Sequence, residues 1–405
     1  MKIVSVDVMQ VPSGNAGSQR GDWSPVIVRI NTDEGISGFG EVGLAYGKGW
    51  RAGYGMVQDF AEVIIGEDPM RIEKIWETIF RTTFWGLGGG TVVNAAISAI
   101  DIALWDIKGK ALGQPVWQLL GGKTNDDLRT YASQLQFNWG TNLTKQTMIT
   151  PEDYAEVTRV AMADGYDAIK VDPIIFSDRP DGKGPWKITG PLENRVIRTV
   201  RDRIAAMREA GGPDLDIILE HHGNTDTISA IQIGKALEEF RIFYYEEPCH
   251  SLNPKSMLEI KNAVNMPIAA GERIYTRFGY RPFLEDRSIN VIQPDLCLCG
   301  GITEAKKICD MAYAYDCAVQ IHVCGSPISK AAALQIEAVL PNFVIHEHHQ
   351  RALNPESRAT CVHDWQPVNG RYKVPDLPGI GQELTPDTIA KSNTVTVTRS
   401  RRYMS

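Results

Sequence analysis

Glu220, Glu246 and Glu272 recur at intervals of 26 residues, and each closes a short apolar run. Asp216-Ile217-Ile218-Leu219 precedes the first, Ile242-Phe243-Tyr244-Tyr245 the second and Pro267-Ile268-Ala269-Ala270-Gly271 the third. Apolar runs of this length between polar signals read as buried strands. A stride near 26 residues holds one strand, one helix and two short loops, the unit of a β/α barrel, whose chemistry sits at the C-terminal ends of its strands. Three carboxylates converging there repel one another unless a cation neutralises them. The spacing therefore predicts a metal site. All-oxygen ligation with room for water suits Mg²⁺, with Mn²⁺ as the alternative.

The remaining strand ends add acid–base chemistry. His222 follows Glu220 by two residues, and strand side chains two apart face the same way, so it should look into the pocket while His221 points into the barrel wall. Asp295 and His322 close two successive runs, which puts them on neighbouring strands. An aspartate bonded to an imidazole fixes its tautomer and raises its basicity, making a general base. Glu347 lies in His346-Glu347-His348-His349. Adjacent strand residues diverge, so this cluster cannot all meet one zinc ion, and Glu347 alone should turn inward to bond a substrate oxygen, donating if protonated. Lys170 and Asp172 share a strand face and count as substrate candidates, although Lys170 could equally balance the acids.

The elements that must position these groups fall into three spans. Residues 1–124 read as an α+β domain, with a β-meander over 1–42 and helices over 56–65, 69–81 and 94–112. Its glycine-rich loops, 13–24 and 43–55, carry Arg20, Trp23, Tyr46, Trp50 and Arg51, candidates to cover a substrate. Residues 125–355 alternate strand and helix, with eight strand ends at Ser133, Asp172, Glu220, Glu246, Glu272, Asp295, His322 and Glu347. Residues 356–405 lose that rhythm and should return to the first domain. The chain is 405 residues long, 43% hydrophobic and 22% charged, with a net charge of −7 that gives no sign of a nucleic-acid or anionic-membrane partner. No apolar stretch reaches the length of a membrane span, and the N-terminus lacks a signal-peptide core. Seven cysteines, an odd number, suit reduced thiols in the cytoplasm.

Several segments carry a family likeness. They are Ala96-Ile97-Ser98-Ala99-Ile100-Asp101-Ile102-Ala103-Leu104-Trp105-Asp106-Ile107-Lys108-Gly109-Lys110 with Pro115-Val116-Trp117-Gln118-Leu119-Leu120-Gly121-Gly122, then Tyr245-Glu246-Glu247-Pro248, Ala270-Gly271-Glu272-Arg273, and Gln293-Pro294-Asp295 with Gly300-Gly301-Ile302-Thr303-Glu304. With these motifs in order, the chain resembles the enolase superfamily, in its mandelate-racemase-like acid-sugar dehydratase branch, and most of all the galactonate dehydratase type. The resemblance implies a modified TIM barrel, (β/α)7β, under an N-terminal α+β capping domain completed by the C-terminal tail, and an oligomer of the chain. It implies Glu220, Glu246 and Glu272 as metal ligands, His222 as general acid, the His322–Asp295 dyad as base and Glu347 on the substrate carboxylate. Enolase-superfamily sites pair a Lys or His base with Mg²⁺ to stabilise an enediolate. The expected reaction is loss of the C2 proton and C3 hydroxyl of an aldonate, giving a 2-keto-3-deoxy acid.

Two positions depart from the pattern. The first ligand is usually aspartate and is Glu220 here, and the second lysine of a Lys-x-Lys pair is replaced by Asp172. An epimerase, racemase or cycloisomerase acting through the same intermediate is the alternative, and a catalytically silent binding or regulatory homologue a further one.

Overall fold

The computed structural model describes residues 1–12, 23–84, 87, 89–140, 148–175, 179 and 186–399. The N-terminal strands are β1 (Ile3–Gln10), β2 (Val26–Thr32) and β3 (Ser37–Val42). The barrel strands are β4 (Asp127–Ser133), β5 (Ala168–Val171), β6 (Asp216–Glu220), β7 (Tyr244–Glu246), β8 (Ile268–Ala270), β9 (Val291–Ile292), β10 (Ala318–Val319) and β11 (His346–His349). Two late strands follow, β12 (Arg371–Lys373) and β13 (Asn393–Thr398).

The cap is an antiparallel sheet in the order β13-β1-β2-β3, so the end of the chain pairs with its beginning. Helices α1 (Trp50–Ile64), α2 (Ile72–Thr82) and α3 (Thr91–Leu112) pack on it through Val57, Phe60, Ile64, Ile75, Ile79, Ile97, Ile100 and Leu104, among others. Approach is tight: a Cβ at Gly40 would stand 1.9 Å from the Ala99 carbonyl oxygen. The helical pattern predicts a first helix from residue 56, but α1 starts six residues earlier. Gly53, loop on that pattern, is inside the helix because a Cβ would stand 2.6 Å from Val42 Cγ1. Trp50 therefore belongs to the first turn of α1, where its ring meets Tyr54 edge-on and Arg51 rests against it.

The second sheet is parallel in the order β10-β9-β8-β7-β6-β5-β4-β11, with β12 added antiparallel to β4. The chain leading into β11 closes the circle: Val319 donates to the Asn342 carbonyl at 2.9 Å, and Val344 to the Val319 carbonyl at 2.9 Å. This is a modified TIM barrel beneath an N-terminal capping domain. Several barrel strands are shorter than the apolar runs suggest. β8, β9 and β10 stop at Ala270, Ile292 and Val319, so Glu272, Asp295 and His322 sit two or three residues beyond the ladder, on the loops that open the mouth.

Cap acids hold the two parts in register. Asp101 on α3 accepts the Thr303 backbone N–H (2.9 Å) in the first turn of the helix Gly301–Ala314. Glu41 on β3 accepts from Ser326 N (2.9 Å) and Ser329 N (3.1 Å) at the start of the helix Pro327–Glu337. Carboxylates at helix N-termini satisfy orphan donors and meet the positive end of the dipole, each worth about 1 kcal/mol. Burial pushes both acids up, each to about 7. No helix among the described residues is long and apolar enough to cross a membrane.

Candidate active site

The barrel mouth gathers the acids that the stride singles out. Glu220 ends β6, Glu246 ends β7, and Glu272 follows β8; one carboxylate oxygen from each lies within 4.8 Å of the others. Lys170 from β5 reaches into the same cluster, with Nζ 3.3 Å from Glu220 Oε2, 2.8 Å from Glu246 Oε1 and 2.9 Å from Glu347 Oε1. Its three protons are spent on carboxylates, so of its two foreseen roles the geometry is that of charge balance, and none is left for a substrate oxygen. The balance is incomplete. Burial, more than the repulsion of the other acids, pushes Glu246 up to about 8 and raises Glu272, and Glu246 Oε2 is buried without a partner. Three clustered carboxylates, one of them with an orphaned buried oxygen, form a donor set that fits a hard divalent cation, and the cluster could hold one.

Two histidines flank the cluster. His322 follows β10, with Nδ1 2.7 Å from Asp295 Oδ2 and Nε2 3.1 Å from Glu272 Oε2. Burial disfavours its charge, but Glu272 and Glu347 outweigh burial and push it up to about 10. With Glu272 spent on a cation, His322 would fall back toward the range in which it can take up a proton. Asp295 is itself fixed by the Cys297 N–H at 2.7 Å.

His222 sits on the other side, with Nε2 3.2 Å from Glu220 Oε1 and Nδ1 2.9 Å from Asp172 Oδ2. It gets there differently from the strand-alternation argument. β6 has ended, and His222 adopts a left-handed backbone (φ 49°), a conformation a non-glycine residue holds only when its surroundings impose it. His221 is buried against Tyr245, and burial pushes it down to about 4. Asp172, a substrate candidate in the sequence, holds His222 through Oδ2. It is fully buried, and its second oxygen accepts Ile174 N (3.2 Å) and Ile175 N (2.8 Å).

Glu347 lies inward on β11, accepting Ser133 Oγ at 2.7 Å and Val323 N at 3.0 Å. Burial would raise it, but Lys170 and His322 hold it well below the usual carboxylate range, so it is ionised and accepts rather than donates. The other histidines of its run diverge: His346 bonds Glu337 (2.6 Å), His348 bonds the Tyr166 hydroxyl, and His349 accepts the Arg351 N–H (3.1 Å).

The cap contributes Trp23 and Tyr46, which pair as an isolated bridge, and the Arg351 guanidinium lies 4.2 Å from the Trp23 ring centre and 5.8 Å from that of Tyr46. Trp50 packs within the cap helices instead, and Arg20 lies outside the described residues. Three neighbours have no task in the sequence reading, although Ser133 is named there as a strand end and Arg273 within a motif. Gln134 donates to Glu220 Oε2 at 3.0 Å, Arg273 meets Glu272 Oε1 at 2.7 Å, and Ser133 holds Glu347. Each adjoins a strand end or ligand, which is the signal that could have found them.

Residues 1–121 match the mandelate racemase / muconate lactonizing enzyme N-terminal domain, and residues 153–388 match the enolase C-terminal domain-like family. The chain belongs to the enolase superfamily. A solved member of that superfamily from Salmonella Typhimurium is 56% identical, with a TM-score of 0.94 over 98% of this chain and 100% of its own. The D-galactonate dehydratase of Variovorax paradoxus is 33% identical over 91% of each chain. The 3,6-anhydro-D-galactonate cycloisomerase of Zobellia galactanivorans is 26% identical, with a TM-score of 0.78 over 96% of this chain and 99% of its own.

Proposed function

We propose that this enolase-superfamily chain is a sugar-acid dehydratase, a carbon–oxygen lyase that converts an aldonate to a 2-keto-3-deoxy acid. The observation that carries the reading is the pair of imidazoles flanking the carboxylate cluster, each oriented through Nδ1 by an aspartate and each turning Nε2 inward. The D-galactonate dehydratases among its relatives support the substrate class. Glu220, Glu246 and Glu272 would hold Mg²⁺, or Mn²⁺ in its place, which when bound supplies positive charge against the substrate carboxylate.

His322, oriented by Asp295, takes the C2 proton at Nε2, and the electron pair moves into the carboxylate to give an enediolate. Lys170 limits the repulsion among the acids while that charge develops. Glu347, ionised, accepts a hydrogen bond from a substrate hydroxyl. His222 gives its Nε2 proton to the departing C3 hydroxyl, which leaves as water. The enol left behind tautomerises to the 2-keto acid. General acid and general base each supply roughly 10²–10⁴-fold in such a step. Seven cysteines without a disulfide among them support a reducing, cytoplasmic setting, and the family likeness supports an oligomer. Incubation of the Mg²⁺-loaded enzyme with a library of aldonates and aldarates, read as 2-keto acid formed, tests the reading; an absence of product from every member would overturn it.

One observation favours a second reading. A histidine–aspartate pair on both sides of the cluster would serve an epimerase as well as a dehydratase, and the cycloisomerase relative shares the fold. Solvent exchange at C2 without loss of water distinguishes it.

A further inference from the structure

His349 is a polar group at the barrel mouth to which the reaction above gives no task. It lies two residues beyond Glu347 on β11, paired in register with Ser133, so both side chains face the pocket with His349 about 7 Å nearer the opening. Its field comes from the site itself, from Glu347, Arg351, Lys170 and His322. Nδ1 accepts the Arg351 backbone N–H at 3.1 Å, which places the ring proton on Nε2. Among the described residues, Nε2–H meets no acceptor. Arg351 is in turn clamped on the cap by Trp23 and Tyr46, which holds the 350–353 turn, and with it the imidazole, in place. Burial, reinforced by Arg351, Lys170 and His322, pushes His349 down to about 3, so the ring is a neutral donor.

We propose that His349 is a specificity-determining residue, donating its Nε2–H to a hydroxyl on the far half of the sugar acid and so reading chain length. This rests on the dehydratase reading, since it takes the pocket as the place where the substrate lies. A substrate whose carboxylate end is held at the depth of Glu347 must extend about 7 Å to reach His349, which four carbons span poorly and six span comfortably.

His349 also caps the turn Gln350–Leu353, so a purely structural role must be separated. His349→Asn keeps a capping acceptor but cannot reach the substrate, while His349→Ala loses both. For His349→Asn we expect near-wild-type thermal stability and a KM for six-carbon aldonates raised about tenfold, the value of one hydrogen bond. The fall in kcat should be smaller than the rise in KM, and four-carbon aldonates should suffer less than six-carbon ones. Wild-type KM on six-carbon substrates, or an equal loss at every chain length, would overturn the proposal while leaving the dehydratase reading standing. Wild-type enzyme that neither binds nor dehydrates any aldonate would overturn both.

Discussion

Replacing Lys170 with methionine removes the cation that meets Glu220, Glu246 and Glu347 together while keeping most of the side chain's volume. Each of its contacts, at 2.8, 2.9 and 3.3 Å, is worth about 5–6 kcal/mol of gross attraction at an effective dielectric near 20. The cost of burying four charged groups offsets most of that. Lys170, Glu220 and Glu246 are each 1% exposed and Glu347 less, so water cannot take over the lost role. Removing one partner of such a buried set costs about 3–5 kcal/mol. In a chain of 405 residues that lowers the melting temperature by about 4–6 °C. The assay is thermal unfolding followed by circular dichroism, in EDTA and in Mg²⁺. Lys170→Met should melt below wild type in EDTA. Mg²⁺ should recover part of the loss, and so should acidification from pH 8 toward 5, as the acids take up protons. A Lys170→Met protein that melts with wild type in EDTA at pH 8 would refute the charge-balance account.

Further outcomes follow from the same geometry. His322→Asn should lose about 10²–10⁴-fold in kcat and all C2 exchange, yet keep its stabilisation by Mg²⁺, since the ligands are intact. His222→Asn should lose dehydration by a comparable factor while still exchanging the C2 proton with solvent, because abstraction precedes departure of the hydroxyl; loss of both activities would contradict its role as acid. Burial pushes Glu246 up to about 8 with no metal bound, above its ordinary 4.5, so protonation favours the fold. Metal-free stability should therefore rise as pH falls from about 8 toward 4.5 on account of this group, and Mg²⁺ should weaken that rise by competing with the proton. Urea unfolding across this pH range, with and without EDTA, checks the sign.

Much of this site was legible because barrel periodicity is a sequence property. Glu220, Glu246 and Glu272 announce themselves by interval, and Asp295 and His322 by falling at successive strand ends. What the sequence could not carry is contact between strands. Asp172 and His222 lie 50 residues apart, and only the β5–β6 register and the left-handed turn at His222 bring them together at 2.9 Å. The three-way reach of Lys170 is hidden for the same reason, since a lysine at a strand end reads alike whether it meets substrate or neighbours. The glycines in α1 misled for a different cause. Helix propensity disfavours Gly53 and Gly55, and tertiary packing against Val42 overrides it at Gly53.

Proton abstraction at C2 followed by loss of the C3 hydroxyl is the reaction proposed for this site. Running the Mg²⁺-loaded enzyme on an aldonate in D₂O, and reading the product by proton NMR, tests it most directly. The expected product is a 2-keto-3-deoxy acid carrying deuterium at C3, where the enol collects a deuteron from solvent. Deuterium at C2 of an otherwise intact aldonate, with no keto acid formed, would contradict it.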